Sequence, residues 1–337
     1  MDSLTHTVLG ACLGQLIGGK KFGKKAMIWS ALANNIPDID VISSLWLPPA
    51  RGMLAHRGFT HSFLFLVLAA PLFAWLWTKI FKKSVISFRD WLLIFGSGML
   101  MHIVLDAMTA YGTGWFEPFS HKRVTFNLIF VADPLFTLFF LVPAIVLWIL
   151  PSDHFRRNLW SKISVACGTV YLFTCLWNKQ AVDRSAAENF KQKNISPTSY
   201  FSTPTPFNNL LWYVLAGSDT GFVAGYRSVF DRSNEIQFTY FPKNESLLDS
   251  IGAIEEKAMM VRFSEGYYSL SQLSDTVIMS DLRFGQVGGW SNPKAPFVFQ
   301  YYFGKHADNS LVFQRGRMKA SSSEALKTMW QRIGRDL

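Results

Sequence analysis

The first third of the chain carries histidines and aspartates at short spacings. His102 and Asp106 are four residues apart inside an apolar stretch, and this spacing places both on one face of a helix. Ionisable side chains in apolar surroundings are costly unless they pair with each other or bind a ligand. The pair alone is consistent with a buried His–Asp hydrogen bond, so its meaning depends on the motifs around it.

Three further motifs supply side chains of the same kind. The segment His56-Arg57-Gly58-Phe59-Thr60-His61-Ser62 has a glycine that can turn the chain so that its two imidazoles converge. In Pro37-Asp38-Ile39-Asp40 the proline interrupts regular helical hydrogen bonding and frees two carboxylates, and His6 opens the first helix. The candidate ligands of a metal are therefore His6, Asp38, Asp40, His56, His61, His102 and Asp106.

Imidazole and carboxylate donors without a thiolate are typical of sites for divalent transition metals, with zinc, manganese and iron as the candidates. The candidates exceed the three or four protein ligands of one tetrahedral ion, so the site would hold one or two ions. Some have another interpretation. His6 could be a helix-start residue at the membrane interface, and Asp38 or Asp40 could cap a helix end.

Two more polar residues are candidates for catalytic roles. Arg57 could pair with an anionic group of a substrate, or it could be a solvated charge or an anchor for lipid headgroups. Asp133 precedes Pro134 at the start of an apolar stretch, which predicts a helix N-cap. It could also reach the site as a partner of a ligand or accept a proton there. His154 and His306 fall away from the predicted site and are not candidates.

The elements that must position these residues are apolar helices. A bilayer span needs about 17–25 apolar residues, and the stretches of that kind are residues 63–80, 91–109, 127–150 and 161–178. Residues 4–18 and 26–36 form two shorter helical stretches, which are either short spans or a re-entrant hairpin. Gly10, Gly14 and Gly18 in the first stretch form a small-residue face that lets another helix approach closely, or they are chance glycines in a loose helix.

The lysines and arginines between these stretches are unevenly distributed. One set of alternate loops contains Lys20, Lys21, Lys24, Lys25, Lys79, Lys82, Lys83, Arg89, Arg156, Arg157 and Lys162, whereas the opposite loops contain Arg51, Arg57, Lys122 and Arg123. Basic loops stay in the cytoplasm. Six crossings would then place the N-terminus, the candidate ligands and everything after residue 178 at the outer side. The same loops explain the net charge of +10, so nucleic acid is not an expected partner.

The fold class predicted is an α-helical polytopic membrane bundle, residues 1–178, with a C-terminal soluble α+β domain, residues 179–337, outside the cytoplasm. The location would be the inner (plasma) membrane, with this domain in the periplasm of a Gram-negative cell. β-Branched and aromatic runs predict strands at 236–241, 259–263 and 297–303. Residues 210–215 are expected at the membrane interface, and the capping spacing of Ser321 to Glu324 predicts a final helix through Trp330.

At these motifs the chain resembles a prokaryotic family of inner-membrane proteins described as membrane-bound metal-dependent hydrolases. The matching features are Thr5-His6-Thr7, Pro37-Asp38-Ile39-Asp40, the 56–62 segment and His102 to Asp106. The resemblance covers roughly residues 1–150, and His-Arg-Gly-x-Thr-His-Ser is its most specific part. The family description implies a distant likeness to zinc-dependent phospholipases C and therefore phosphoester chemistry.

A hydrolase of this kind would use one or two ions to activate a water against a phosphoryl or acyl centre. The seven candidates would be ligands, and Asp38, Asp106 or Asp133 could accept a proton. The membrane setting favours membrane lipids as partners and a lipid or lipid-linked substrate. The alternative function is a non-catalytic metal-binding membrane scaffold or transporter.

Overall fold

The computed structural model describes residues 1–82, 86–252, 254–304, 312–315 and 322–334. Lys83, His306 and Ser321, named in the sequence predictions, lie outside the described residues. The chain divides into two compact units. The first comprises Met1–Leu45, Ala55–Cys175 and Pro206–Asn208, and the second comprises Trp46–Leu54, Leu176–Thr205 and Asn209–Leu337.

The N-terminal region is helical. Its helices are α1 (Ser3–Phe22), α2 (Lys25–Asn35), α3 (Pro49–Ala55), α4 (Phe63–Ile80), α5 (Phe88–Ala107), α6 (Pro134–Ile149) and α7 (Arg157–Gln192), with 3₁₀ segments at Pro37–Leu45 and Phe59–His61. Local sequence explains where several of them begin. Ser62 caps α4, Ser87 and Asp90 form a capping box on α5, and the Asp133 side chain accepts the Phe136 amide at the start of α6.

Helices α1 and α2 pack against each other through the predicted small-residue face. A Cβ on Gly10 would lie 2.8 Å from the Ser30 carbonyl oxygen, and one on Gly14 would overlap the Ala26 carbonyl. Gly23 joins the two helices with a φ of 57°, a conformation that side chains disfavour. The close approach predicted from the glycine spacing is confirmed. Whether this hairpin crosses the membrane or re-enters it stays a prediction.

Among the described residues, α4, α5 and α7 are long and apolar enough to cross a membrane. The predicted span at 63–80 coincides with α4. The stretch at 127–150 is helical only from Pro134, since the preceding residues form turns and leave α6 as a shorter apolar helix. Helix α7 continues past residue 178 to Gln192. The six crossings and the domain boundary at 178 remain predictions.

The second unit contains two four-stranded antiparallel sheets among the described residues. One comprises β1 (Ser199–Pro204), β2 (Leu211–Gly217), β3 (Gly221–Ser228) and β4 (Thr239–Pro242), and the other β5 (Tyr268–Leu273), β6 (Thr276–Gln286), β7 (Phe297–Gly304) and β8 (Val312–Arg315). Helices α8 (Ile254–Phe263) and α9 (Ser322–Ile333) accompany them, with a 3₁₀ segment at Glu245–Ser250. The prediction of a helical N-terminal region followed by an α+β domain is confirmed.

Two local predictions were wrong. Residues 259–263 belong to helix α8, and the buried pair Met260 and Phe263 has helical spacing rather than strand alternation. Residues 210–215 do not form an interfacial segment, since Leu211–Gly217 is the fully buried strand β2. Its apolar character is continuous because Trp212 and Val214 belong to one hydrophobic cluster while Tyr213 and Leu215 belong to another.

Candidate metal centre

Four elements of the first unit carry the predicted ligands. Asp38 and Asp40 lie on the 3₁₀ segment that starts at Pro37, and His61 ends the next 3₁₀ segment, immediately before the Ser62 cap of α4. Three of the other ligands are helical: His6 lies in the first turns of α1, and His102 and Asp106 lie near the end of α5. His56 lies in the turn that follows α3. Chain interruptions and helix ends therefore supply most of the polar groups.

The structure brings four of the seven predicted ligands into one group. Asp38, His61, His102 and Asp106 each offer a nitrogen or oxygen atom, and these atoms all lie within 4.8 Å of one another. His61 Nε2 is 3.4 Å from Asp38 Oδ1 and 3.4 Å from Asp106 Oδ2, and His102 Nε2 is 3.5 Å from each of the same oxygens. This group, called here the inner cluster, could hold a metal ion.

A second group shares Asp38 with the inner cluster. Asp38, Asp40 and His56 again offer three atoms within 4.8 Å of one another, and His56 Nδ1 lies 2.9 Å from Asp40 Oδ1. Asp40 is also held by the backbone amide of Arg57 at 2.9 Å and by the Thr60 hydroxyl at 2.8 Å. This group, called here the outer cluster, is the more exposed of the two, with His56 29% exposed.

His6 belongs to neither group but contacts the inner cluster. Its ring stacks on that of His102 with centroids 3.8 Å apart, and its Nε2 lies 3.1 Å from Asp106 Oδ1. Its Nδ1 faces Asn34 Oδ1 at 3.1 Å. The amino group of Met1 is also ion paired with Asp106 Oδ1. His6 is therefore placed to support Asp106 and His102.

Asn34 at the end of α2 orients a ligand of the inner cluster. Its backbone carbonyl receives a hydrogen bond from His102 Nδ1. Because a carbonyl only accepts, His102 carries a proton on Nδ1, and Nε2 is the nitrogen that faces the cluster, 3.0 Å from His61 Nε2. Such partners of the second ring nitrogen fix the orientation of metal-binding histidines.

The hydrogen bonds of the inner cluster are incomplete. Asp106 is fully buried, and its Oδ2 accepts no hydrogen bond from any residue that the structure describes, although Arg57 Nε lies 3.0 Å away in an ion pair. Buried polar atoms without partners are rare in native proteins and call for an explanation. Arg57 offsets the charge of Asp106 without donating a hydrogen bond to Oδ2. A metal ion bound by this oxygen and the imidazole nitrogens would complete its contacts, so the residues present fit a metal ion.

The charges of the cluster are strongly coupled. Burial lowers the pKa of His61, but the carboxylates of Asp106, Asp38 and Asp40 outweigh it and raise that pKa to about 9. Burial opposes ionisation of Asp38 and Asp40, yet hydrogen bonds from the neighbouring histidines hold the pKa of both carboxyls well below the usual range. The carboxylates are therefore charged, and a metal would have to displace a proton from His61.

Arg57 is buried beside the cluster rather than solvated. It is 4% exposed, its Nε pairs with Asp106, and its Nη1 donates to the Thr109 hydroxyl at 2.9 Å. The guanidinium also lies over the Tyr111 ring, 4.8 Å from its centroid. A positive φ of 59° turns the chain here. This geometry makes Arg57 a partner of a cluster carboxylate.

Asp133 is not brought together with the predicted ligands. Its side chain accepts the Phe136 amide at 3.0 Å and the Tyr171 hydroxyl at 2.6 Å. The N-cap interpretation is confirmed. Sequence reasoning gave no role to Asn34, Thr60 and Thr109. Thr60 lies inside the 56–62 segment, whereas the only signal of Asn34 and Thr109 is their position three or four residues from a predicted ligand.

Comparison with known proteins assigns the helical region to a family. Residues 1–182 match the family model described as YdjM inner membrane protein. The chain is 30% identical over 122 residues to the inner membrane protein YbcI of Escherichia coli, covering 36% of this chain and 69% of YbcI. It is 31% identical over 170 residues to YfhP of Bacillus subtilis, covering 44% of this chain and 46% of YfhP. No solved structure matches the chain.

Proposed function

The chain belongs to the YdjM family of inner membrane proteins, and on this premise we propose that its N-terminal helical unit is a metal-dependent hydrolase. Its substrate would be a phosphoester or another ester, in a lipid or lipid-linked molecule. The observation that carries the proposal is the convergence of Asp38, His61, His102 and Asp106, drawn from three separate elements, within 4.8 Å. Asp106 Oδ2, which accepts no hydrogen bond from a described residue although it is ion paired with Arg57, supports it.

In this proposal the inner cluster holds one ion and the outer cluster, through Asp38, Asp40 and His56, holds a second. The donor set fits zinc best, and manganese or iron also bind such ligands. A divalent ion at such a site supplies Lewis-acid polarisation and lowers the pKa of a water from 15.7 to about 7. Asp38 belongs to both groups, so it would join the two sites.

The roles of the protein groups follow from their contacts. Arg57 balances the charge of Asp106, and Thr60 with the Arg57 amide fixes Asp40 against the imidazoles of His56 and His61. The side chain of Asp38 is 20% exposed, whereas that of Asp106 is fully buried. Asp38 is therefore the carboxylate of the inner cluster that a substrate can approach, and Asp106 is a ligand that a substrate does not reach. Asp133 has no part in this proposal.

The surroundings of the clusters support a lipid substrate. Ile39, Val41 and Leu45 share the 3₁₀ segment of Asp38 and Asp40, and they are 55%, 53% and 82% exposed. Exposed apolar side chains on a membrane protein face lipid at low cost. An ester near the headgroup of a lipid would reach Asp38 laterally. With the basic loops in the cytoplasm, we place this end of a multi-pass bundle, and the C-terminal domain, on the outer side of the inner membrane.

A second candidate is a metal-binding scaffold without catalysis. The full burial of His61, His102 and Asp106 favours it, because a substrate could contact the inner cluster only through Asp38. A transporter is less favoured. Gln15 lies further along α1 than His6 and accepts a hydrogen bond from the buried Arg157 of α7. Arg157 also donates to the Leu147 and Leu150 carbonyls, so a fixed cation closes the bundle at this level.

Elemental analysis of detergent-purified protein tests the proposal. We expect one to two equivalents of a transition metal, lost in His61→Ala and retained in the control His121→Ala, whose side chain is 58% exposed and pairs with Glu117. Hydrolysis is then measured on phospholipid and lipid-phosphate vesicles. Bound metal without turnover of any ester would leave the scaffold as the function. The absence of metal, even after reconstitution with zinc or manganese, would overturn both the hydrolase and the metal-binding scaffold.

A further inference from the structure

A polar cleft of about 340 Å³ lies within the second unit and has no role in the metal site. Ligand pockets typically occupy about 300–1,000 Å³. One wall is the chain leading into β4, where Ile236 is buried in the core while Gln237 and Thr239 face the cleft. This alternation follows from the period of two of an extended chain, so the polar face is built into the strand sequence.

The charges in the cleft are already neutralised. Arg332 from α9 binds Asp231 through two hydrogen bonds of 2.6 and 2.8 Å, and Glu235 pairs with Lys193 at 3.1 Å. The Arg332–Asp231 pair is bidentate and therefore geometrically fixed. Among the described lining residues, the remaining polar side chains are uncharged hydroxyl, phenol and amide groups. A neutral ligand is therefore favoured over an ionic one.

Two of these uncharged groups are held rigidly beside a glycine. Gln286 is 5% exposed, and its Nε2 donates to the Pro293 and Ala295 carbonyls, which fixes the direction of its Oε1. Burial raises the pKa of Tyr226, so its phenol stays protonated. A Cβ on Gly289 would overlap both Gln286 Oε1 and the Tyr226 hydroxyl oxygen. Glycine at position 289 thus lets the acceptor and the donor pack directly against the backbone.

Trp290 completes the cleft as an aromatic wall. Its indole Nε1 donates to the Thr328 hydroxyl at 3.2 Å, and its ring is perpendicular to that of Tyr226 with centroids 6.1 Å apart. The ring is therefore fixed by Thr328 outside the cleft and by Tyr226 in its lining. Aromatic surface next to neutral donors and acceptors matches a ligand with apolar C–H faces and hydroxyl edges.

From these groups we infer that the cleft is a binding site for a neutral saccharide, with Trp290 contacting a sugar face and Gln237, Thr239 and Gln286 contacting its hydroxyls. A peptide would be recognised mainly by backbone pairing at a sheet edge, which requires neither the aromatic wall nor the fixed amide. The site is independent of the metal clusters, so it concerns a different function of the chain.

Calorimetric titration of the full-length protein tests the inference. The protein is kept in lauryldimethylamine oxide, because maltoside detergents would themselves present a saccharide. The probes are chitotriose, maltotriose, cellotriose and the peptide trialanine. We expect at least one trisaccharide to bind, and Gln237→Ala and Trp290→Phe to weaken that binding about tenfold, the loss of roughly one good hydrogen bond or ring contact.

The matched control is Trp330→Phe, because Trp330 is 55% exposed on α9 and does not line the cleft. It should bind like the unmodified chain. Binding of none of the three sugars, equal weakening by the Trp330 variant, or binding of trialanine alone would each overturn the inference. The measurement is made after chelation of metal, so its result is separate from success or failure of the hydrolase proposal.

Discussion

The two units of the chain bury ionised groups in different ways. In the second unit, Arg283 meets the buried Asp281 with Nε at 3.1 Å and Nη2 at 2.7 Å from its two oxygens. Burial alone would lower the pKa of Arg283, but Asp281 more than compensates and raises it. The guanidinium also lies 4.9 Å from the centre of the Phe263 ring. One cation and one carboxylate form a closed pair.

The inner cluster is not closed in this way. Its carboxylates face the imidazoles of His61 and His102 and the guanidinium of Arg57. Asp106 Oδ2 nevertheless accepts no hydrogen bond from any described residue. A structural ion pair matches its donors to its acceptors, because every unmatched buried group reduces stability. The unmatched atoms Asp106 Oδ2 and Arg57 Nε therefore separate a candidate binding site from a structural pair, and removal of single groups should expose this difference.

The largest effect is expected at the closed pair. Asp281→Ala leaves the Arg283 guanidinium buried without this carboxylate, and breaking such pairs costs about 3–5 kcal/mol. Thermal unfolding of the detergent-purified chain should show the loss, with metal content unchanged. The double variant Asp281→Leu, Arg283→Leu should recover most of the stability. A destabilised double variant would mean that these side chains do more than neutralise each other.

A smaller effect is expected from metal at the open cluster. Because the folded site binds an ion that the unfolded chain lacks a site for, zinc at about 100 times its dissociation constant should raise the free energy of unfolding by about 2.7 kcal/mol. Removal of the zinc with a chelator should reverse this increase in the free energy of unfolding. His61→Ala should abolish the increase, and His121→Ala should retain it. Equal stabilisation of all three proteins would indicate metal bound elsewhere.

The comparison also shows what sequence could predict. The ligands were recognisable because His102 and Asp106 are out of place in an apolar helix and because Pro37 and Gly58 interrupt the chain beside other ionisable residues. The sequence did not show which of these carboxylates and imidazoles come together in the folded chain. Asp133 has the same chemistry and lies beside a membrane-type helix, yet its contacts are with Phe136 and Tyr171. Only the packing of α1, α2 and α5 decides which carboxylates meet.

For the fold too, features set by local sequence were predictable and features set by packing were not. Long apolar stretches predicted α4 and α5 because length and hydropathy are local properties, and the glycine spacing predicted the α1–α2 contact. Residues 259–263 were misassigned because a short apolar run fits a strand or a helix equally well. Strand β2 was misread because a strand buried on both faces loses its alternation. The closed pair of Asp281 and Arg283 gave no signal beyond two charges in a mixed sequence.

An intermediate effect is expected at the support of the open cluster. Asn34→Ala removes the side-chain oxygen that faces His6 Nδ1 while leaving every predicted ligand in place. Loss of a direct partner of a metal-binding histidine typically lowers metal affinity about 10–100-fold. Because the Asn34 side chain acts through His6, we expect the lower end of this range, about tenfold. Competition with a fluorescent zinc chelator measures this affinity for zinc. Asn35→Ala is the control, since the Asn35 amide bonds to Thr7 and the Ala31 carbonyl instead. Equal losses in both variants would indicate a general effect on α2.

The smallest effect is expected at an exposed ion pair. Arg51 Nη2 lies 3.0 Å from Glu255 Oε2, but the two side chains are 54% and 72% exposed. Water screens such pairs, so Glu255→Gln should change the free energy of unfolding by about 1 kcal/mol or less. The same thermal unfolding assay applies, with Asp281→Ala as the reference. Because both pairs join one arginine to one carboxylate at about hydrogen-bond distance, burial is the main variable between them. A Glu255 variant as unstable as the Asp281 variant would show that burial does not set the cost, and the contrast between closed and open clusters would lose its physical basis.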